Sequence, residues 1–589
     1  MVAIMSPWDW TLAIALNGAI ILYGFYLSRG VRTSADWFLA GRSLPWWLVG
    51  FSMYATAIDS SDLVADAGGT YVLGFSYFAT NWVGSVLGWT LAAFFICLPM
   101  YRAGLYTNAE YLEARYGTPV RVICAFVQVQ YRTLVLGIIA TTLFLTLSIV
   151  CGLSDAAAWT VVGAIAALAA IYTAFGGLRS VAMTDSLQFL VMTAAGLIIW
   201  LLVWGQVGGW EGLERRLNDH DPAVAARLLH IGHEDVQIET VAGRSSMEIE
   251  RKLGLGGIYD PSTETIRHHT PGWLVTLALV IMGMAYAIVN HTQVMRMFAA
   301  RSEWDLKMSV FAASSVTMVM TFFNLSMGVM GRALYPVQSA LPDGRQDAIY
   351  PLLVSQVETV GLKGIVVAGI LAASLSTYDS IGSALSALLT RDVYARLLVP
   401  GRDDRHYLRI SQWLTPAVIG VSFLYVPGLL RGGMVLYYLD LTSAFVIPLL
   451  TIYLMGSFTR VHRSSGLIGL LAGACYGMLR LAAPLVAEET GWVLLPPAMM
   501  GTYAAYPFSM LVTAGTMVAV SLVAGWDSGS AFDLTGRQEK SPWLRSSQLK
   551  IRQIQDQIAK RADHDPRLPA LLSLLALTAG CILTFVVFW

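Results

Sequence analysis

Apolar residues in this 589-residue chain gather into about fourteen runs of roughly 20, the length a helix needs to cross a hydrocarbon core about 30 Å thick. The runs lie near residues 9–28, 44–70, 74–100, 119–150, 157–175, 179–206, 273–297, 305–332, 350–393, 407–428, 433–458, 465–485, 503–525 and 568–588. The pattern predicts an all-α polytopic membrane protein with about 14 transmembrane helices. Every second short loop should then be rich in Lys and Arg. One side collects Arg29, Arg32 and Arg42, then Arg102, Arg115 and Arg121, then Arg179, then Arg296, Arg301 and Lys307. It continues with Arg391, Arg396, Arg402, Arg405, Arg409, Arg460 and Arg463, and ends with eight basic residues from Arg537 to Arg567. Opposite loops hold only scattered cases such as Arg332, Arg345, Lys363 and Arg431. With an even number of spans, both termini lie outside the cytoplasm.

Two of these runs cannot be ordinary lipid-facing helices. The stretch FSMYATAIDSSDLVADAGGT, residues 51–70, carries three aspartates, Asp59, Asp62 and Asp66, inside a membrane-length segment. A charge at mid-membrane costs about 2.5–3.5 kcal/mol on insertion scales, so these carboxylates must face protein, water or a cation. The stretch reads as a broken helix lining a cavity, the device by which transporters expose carbonyl oxygens and helix ends to ions and solutes. Asp59 and Asp62, flanking the break, either face an amine or another cation, or pair internally and serve the ion path. The second stretch, AGILAASLSTYDSIGSALSALLTRDVY, replaces bulky apolar residues with small and hydroxyl ones. Close helix packing accounts for many of them. It does not account for Asp379 after Ser376 and Thr377, nor for Ser376, Ser380 and Ser383 recurring at helical spacing. Hydroxyls and free carbonyls form a weak oxygen cage, suited to reversible binding of a hard cation. Arg132, in FVQVQYRTLVLG, is a further mid-membrane charge that needs a carboxylate or a water path.

Composition narrows the classes. Hydrophobic residues make up 56% and charged residues 13%, with a mean hydropathy of +0.60, far from soluble domains. The formal net charge is zero, so no basic field invites nucleic acid. Cys97, Cys124, Cys151, Cys475 and Cys581 sit in apolar stretches without metal-type spacing and read as small buried hydrophobes. The first apolar run lacks a basic leader and a small-residue cleavage site, so it reads as a first membrane helix. The polar segment from Gly208 to Thr270 holds His220, His230, His233, His268 and His269. Lacking fixed ligand spacing, it reads as a solvated outer loop. Within residues 526–567, Ile551, Ile554 and Ile558 share a helical face beside Lys550, Arg552, Lys560 and Arg561, which fits a helix lying on the inner leaflet. No nucleophile elbow, HExxH cluster or phosphate-binding glycine loop marks an enzyme.

Four stretches then resemble one family in order and spacing: DWFLAGRSLPWW from Asp36, TNAEYLEARYG from Thr107, YTAFGGLRSVAMTDSLQ from Tyr172 and MRMFAARS from Met295. Together they resemble the sodium/solute symporter family from Asp36 to about Arg463. The resemblance implies a leucine-transporter-type core of two inverted five-helix repeats. Residues 1–43 would be an N-terminal span and cytoplasmic loop, 44–206 the first repeat, 207–272 an extracytoplasmic loop, 273–464 the second repeat, and 465–589 three added spans with a cytoplasmic loop at 526–567. It also implies a sodium site made by the carbonyls of Ala55, Ile58 and Ala373 and the hydroxyls of Ser376 and Thr377. Asp185 would set that site's field or help form a second ion site. The partner broken helix would lie around GMAYAIVNHTQ, with Tyr286 as an aromatic inner gate and Asn290 beside it as a substrate contact. Sugar-transporting relatives place amide or acidic side chains at the positions of Ala57, Asp62 and Asn81. Here the first is an alanine, the second a carboxylate and the third an amide. A lost buried hydrogen-bond partner costs about 1–3 kcal/mol, which argues against a typical sugar site. The expected function is sodium-coupled import of a small organic solute across the plasma membrane by alternating access, with Na+ as the coupling ion, the lipid bilayer as surroundings and no covalent chemistry. Proton coupling through Asp59, Asp62 or Asp185, and a transporter-like sensor, are the alternatives.

Overall fold

The computed structural model describes residues 5–28, 34–240, 258–261, 263–430, 434–490, 492–527 and 565–589. The basic segment with Ile551, Ile554 and Ile558 lies outside the described residues. Among the described residues, twelve helices rather than fourteen are long and apolar enough to cross a membrane, and two departures from straight helices account for the difference.

The first departure follows α1 (Pro7–Ser28). The apolar run that begins at residue 44 forms two short helices, α2 (Trp46–Ala57) and α3 (Ser60–Leu73). Ile58 and Asp59 between them are extended, and Asp59 caps α3 by accepting from Ser61 N–H at 2.7 Å. Asp62 returns the bond, accepting from Asp59 N–H at 2.7 Å. This reciprocal capping box satisfies the first donors of α3. It also draws the Asp59 N–H away from the Ala55 carbonyl, its partner in an unbroken helix, so α2 must stop.

After α4 (Thr80–Arg102), the short α5 (Asn108–Tyr116) and α6 (Thr118–Ile149), the second departure is the 53-residue α7 (Asp155–Val207). It bends at Gly177, whose φ is 61°. A Cβ there would stand 2.9 Å from the Trp37 Cα, so only glycine admits both the turn and the close approach. Trp37 Nε1 donates to the Ala174 carbonyl at 3.2 Å, partnering an acceptor at the bend.

A further break follows near residue 290. Helix α8 (Gly272–Val289) ends at Asn290, which caps α9 (His291–Phe298) by accepting from Thr292 N–H at 3.1 Å. Then come α10 (Glu303–Leu334), α11 (Leu362–Leu398), α12 (Asp404–Leu429), α13 (Met434–Phe458), α14 (Ser465–Ala487), α15 (Ala505–Ala524) and α16 (Leu568–Val587). The apolar run at 350–393 is two elements, because Ile349–Ser355 is a separate short helix and Gly361, at φ 89°, starts α11 anew. In α6 and α11, 89% of the most apolar window is buried in protein, against 22% in α15 and α16. The first pair forms the centre of the bundle, and the second pair faces lipid.

Residues 208–240, 258–261 and 263–270 hold more regular structure than a plain solvated loop. Two short helices, Gly209–His220 and Pro222–Leu229, precede an antiparallel sheet of β1 (Asp235–Thr240), β2 (Ile258–Asp260) and β3 (Thr265–Thr270) in the order β1-β3-β2. Among the described residues no three His, Cys, Asp or Glu side chains gather as metal ligands. His269 Nδ1 lies 3.0 Å from Glu234. His230 and His233 stand with ring centroids 5.8 Å apart, and partial burial together with the neighbouring His230 lowers the pKa of His233.

At the end of the bundle that carries the basic loops, Arg121 joins α6 to Glu113 on α5, and donates to Asp392 on α11 at 2.7 Å. Arg396 donates to Glu113 at 2.9 Å. Burial alone would raise the Glu113 pKa, but the bond from Arg396 and the charge of Arg121 outweigh it and hold the carboxyl down at about 2.

Candidate functional site

The break between α2 and α3 packs against the middle of α11, and most of the expected ion ligands meet there. Ser376 Oγ lies 2.8 Å from the Ala55 carbonyl and 2.9 Å from that of Ala373. The first is the carbonyl that the capping box frees. Thr377, fully buried on the next position of α11, has a hydroxyl with no hydrogen-bond partner. Ile58 closes the group from the break itself, its N–H still donating to the Tyr54 carbonyl at 2.9 Å. Three oxygens from two elements, those of Ala55, Ala373 and Ser376, thus meet, and no charged side chain is hydrogen-bonded to Ser376 or Thr377. Of the three serines spaced along α11, Ser383 turns back to its own helix and donates to the Ser380 carbonyl at 3.1 Å.

Beside the break lies a cavity of about 80 Å³. Asp59, Asp62 and Asp66 line it from the α3 side, Asn81 and Trp89 from α4, and Arg132 from α6. Tyr286 of α8, Thr317 of α10 and Tyr438 of α13 complete the wall. Asp66 accepts from the Tyr77 hydroxyl at 3.0 Å. Ser85 donates to Asn81 at 3.3 Å. Tyr286 reaches the break directly, its hydroxyl lying 3.4 Å from the Thr56 carbonyl, and it accepts from Gln293 at 3.0 Å. Arg132 does not take the carboxylate solution. It makes no ion pair with the aspartates, and its guanidinium stands 5.6 Å and 5.7 Å from the ring centroids of Tyr131 and Tyr286, within cation–π range.

Two expected site residues lie elsewhere. Asn290 does not line the cavity, because its side-chain oxygen is committed to capping α9. Asp185 is fully buried in a separate cluster. Its Oδ2 accepts from Ser52 at 2.5 Å and from Arg296 at 2.9 Å, while its Oδ1 has no partner. Arg296 also donates to Ser52 at 2.7 Å and bonds Ser380, which in turn donates to Asp379 at 3.0 Å. Tyr172 donates to the other oxygen of Asp379. The charge count of loops placed Arg296 on a cytoplasmic loop, and here that reading is corrected: it is a fully buried residue of α9. Its position at the end of an apolar run made it look like a loop cation. Asp66, counted among the mid-membrane carboxylates but not among the solute contacts, also lines the cavity, its one-turn spacing from Asp62 placing both on one face of α3.

Residues 37–473 match the sodium:solute symporter family. The chain belongs to that family. This symporter is a sodium-coupled solute transporter and not an enzyme, with Na+ as its coupling ion. It is 28% identical over 546 residues to sodium/myo-inositol cotransporter 2 of Sus scrofa, covering 87% of this chain and 77% of that protein. It is 25% identical to sodium/glucose cotransporter 4 of Danio rerio, covering 88% and 80%, and 28% identical to the sodium/mannose cotransporter of Bos taurus, covering 79% and 77%. Among solved structures, a Na+-coupled sialic acid symporter in a substrate-bound outward-open state aligns with a TM-score of 0.69 at 18% identity, over 88% of this chain and 98% of that one. A nucleobase-cation-symport-1 family transporter aligns at 0.50 and 14%, over 87% and 97%. These likenesses show that the symporter has the leucine-transporter-type fold.

Proposed function

We propose that this symporter imports a small organic solute across the plasma membrane, with sodium held where α2 breaks against α11 and the solute in the adjoining cavity. The carbonyls of Ala55, Ile58 and Ala373 and the hydroxyls of Ser376 and Thr377 hold the ion; Asp59, Asp62, Asn81 and Tyr286 meet the solute. One observation carries this reading: the Ser376 hydroxyl sits between carbonyls of two different helices, next to the break whose Ile58 and Asp59 line the cavity. An ion drawn there would tie α2 to α11, so sodium binding would favour one arrangement of the two repeats over the other. Tyr286 spans from α8 to the break and is placed to close over a bound solute. Asp185 acts on the ion through the hydroxyl network of Ser52, Thr56 and Ser380, since Thr56 and Ser380 hydroxyls are 3.1 Å apart. The termini and the 208–270 segment lie on the outer side, a placement the loop charges support. The relatives named above are cotransporters of myo-inositol, glucose and mannose, which supports a small, oxygen-rich solute. One sodium ion crossing about 100 mV releases about 2.3 kcal/mol, and a tenfold gradient adds about 1.4 kcal/mol. Together they sustain a solute gradient of about a few hundredfold.

The test is uptake from a pool of sugars, polyols, amines, amino acids and carboxylates into proteoliposomes, with and without an inward sodium gradient. Wild type is expected to accumulate one class only with sodium, and Ser376→Ala/Thr377→Ala to raise the sodium concentration for half-maximal uptake by about tenfold or more, the loss of one or two buried ligands. An unchanged sodium requirement in the double variant would exclude this ion site.

A further inference from the structure

We propose that the solute is an organic ammonium that also carries acceptor oxygens, such as an amino acid, an amino alcohol or an amino sugar, and not a neutral polyol. This deepens, and rests on, the reading of the cavity beside the α2–α3 break as the solute site.

The charges in its wall are three carboxylates, Asp59, Asp62 and Asp66, against one guanidinium, Arg132. Two buried carboxylates elsewhere in the chain, Asp185 and Asp392, have cationic partners in Arg296 and Arg121. Those in the cavity have only neutral donors: Ser61 for Asp59, the Asp59 N–H for Asp62 and the Tyr77 hydroxyl for Asp66. Asp62 and Asp66 are one helical turn apart on the same face. A primary ammonium, with three donors on a point charge, can answer both at once. Tyr77, whose hydroxyl bonds Asp66, lines the same end of the cavity.

The opposite need comes from α4, α6 and α10. Arg132 is 2% exposed, and its Nε and Nη2 have no hydrogen-bond partner. Trp89 is fully buried, with Nε1 equally unpartnered, and so is the Thr317 hydroxyl. All three line the cavity. The arginine and tryptophan groups can only donate, so the molecule that satisfies them must bring oxygen acceptors. A neutral polyol would supply those oxygens and leave the carboxylates without a counter-charge. A bare amine would do the reverse. A molecule with an ammonium at one end and oxygens at the other answers both halves of the wall.

The experiment uses the full-length protein in proteoliposomes and detergent, with serine, 2-aminoethanol and glucosamine set against glucose, myo-inositol and N-acetylserine. Sodium-driven uptake, or sodium-dependent quenching of tryptophan fluorescence, is expected for at least one ammonium compound. N-Acetylserine removes the positive charge and keeps the oxygens, so it should bind at least tenfold more weakly than serine to the wild type, a comparison that needs no variant. Asp62→Asn/Asp66→Asn should weaken ammonium binding at least tenfold while the sodium concentration for half-saturation stays within about twofold. Sodium-driven uptake of glucose or myo-inositol that no ammonium compound inhibits overturns the proposal and leaves the solute site standing. Sodium binding without sodium-dependent binding of either class overturns both the proposal and the solute site.

Discussion

Two clusters of buried carboxylates sit a few turns apart in the same bundle and are treated in opposite ways. Around Arg296, the guanidinium and the hydroxyls of Ser52, Ser380 and Tyr172 engage Asp185 and Asp379 from four sides. Around the cavity, Asp59, Asp62 and Asp66 form no ion pair with Arg132, which lines the same wall and keeps donors unused. The difference shows how to read a charge inside a membrane protein. A charge that the protein itself satisfies belongs to the scaffold, whereas one left to be satisfied from outside belongs to the cargo.

The sharpest way to break this contrast is to remove Arg296. Arg296→Met leaves two buried carboxylates without a cation and should cost about 3–5 kcal/mol, the range for breaking a buried pair by removing one partner. Such a variant is expected to lose monodisperse, foldable protein, as judged by size-exclusion chromatography and melting. Adding Asp185→Leu should restore part of the loss, because it removes a charge the deletion left stranded. A single variant that melts like wild type would refute the scaffold role.

The cavity carboxylates should behave differently. Asp59→Ala removes the cap of α3 and should cost about 0.5–2 kcal/mol, seen as a modest fall in melting temperature. Asp59→Asn keeps an acceptor and should cost clearly less. Asp62→Asn likewise leaves an oxygen for the Asp59 N–H, so it should change solute preference far more than stability. A large stability loss in both asparagine variants would move these residues into the scaffold class.

A third arrangement lies outside the spans and gives a smaller, pH-dependent effect. Glu113 titrates at about 2, against about 4.3 for an ordinary glutamate. Its contribution is therefore complete above about pH 4.3 and fades as pH falls through 2. The melting difference between wild type and Glu113→Gln should hold constant from pH 7 to 5 and shrink below pH 4. A gap that widens on acidification would contradict the sign of this shift.

Much of this was legible in the residues. The run AIDSSD announced a broken helix because carboxylates at mid-membrane depth must face protein, water or a cation, and the small, hydroxylated face of α11 announced a weak oxygen cage. The family resemblance implied that Ala55, Ala373 and Ser376 lie together, and the Ser376 hydroxyl reaches both carbonyls. Other parts were hidden for physical reasons. Gly177 looks like any glycine of a double pair, and only its positive φ and the approach of Trp37 show that the helix breaks there and resumes. Arg296 occupies the same kind of position as Arg301, yet one is fully buried and the other forms an ion pair near the surface. Hydropathy cannot separate them, since the distinction is made by Asp185, which is 111 residues away in the chain. Asn290 fits both a solute contact and a helix cap, and the local turn used its oxygen first.

The capping box between Asp59 and Asp62 has a further consequence for how such a chain can change over generations. The side chains that restart α3 are the same ones that give the cavity its negative charge. Alanine at either position would lose charge and architecture together, so selection for a neutral cargo has few single steps available. Asparagine is the passable step, since its oxygen still receives the backbone donor while its charge is gone. A lineage that drifts from charged to uncharged cargo should therefore pass through Asp-to-Asn exchanges at this break before it alters the walls opposite.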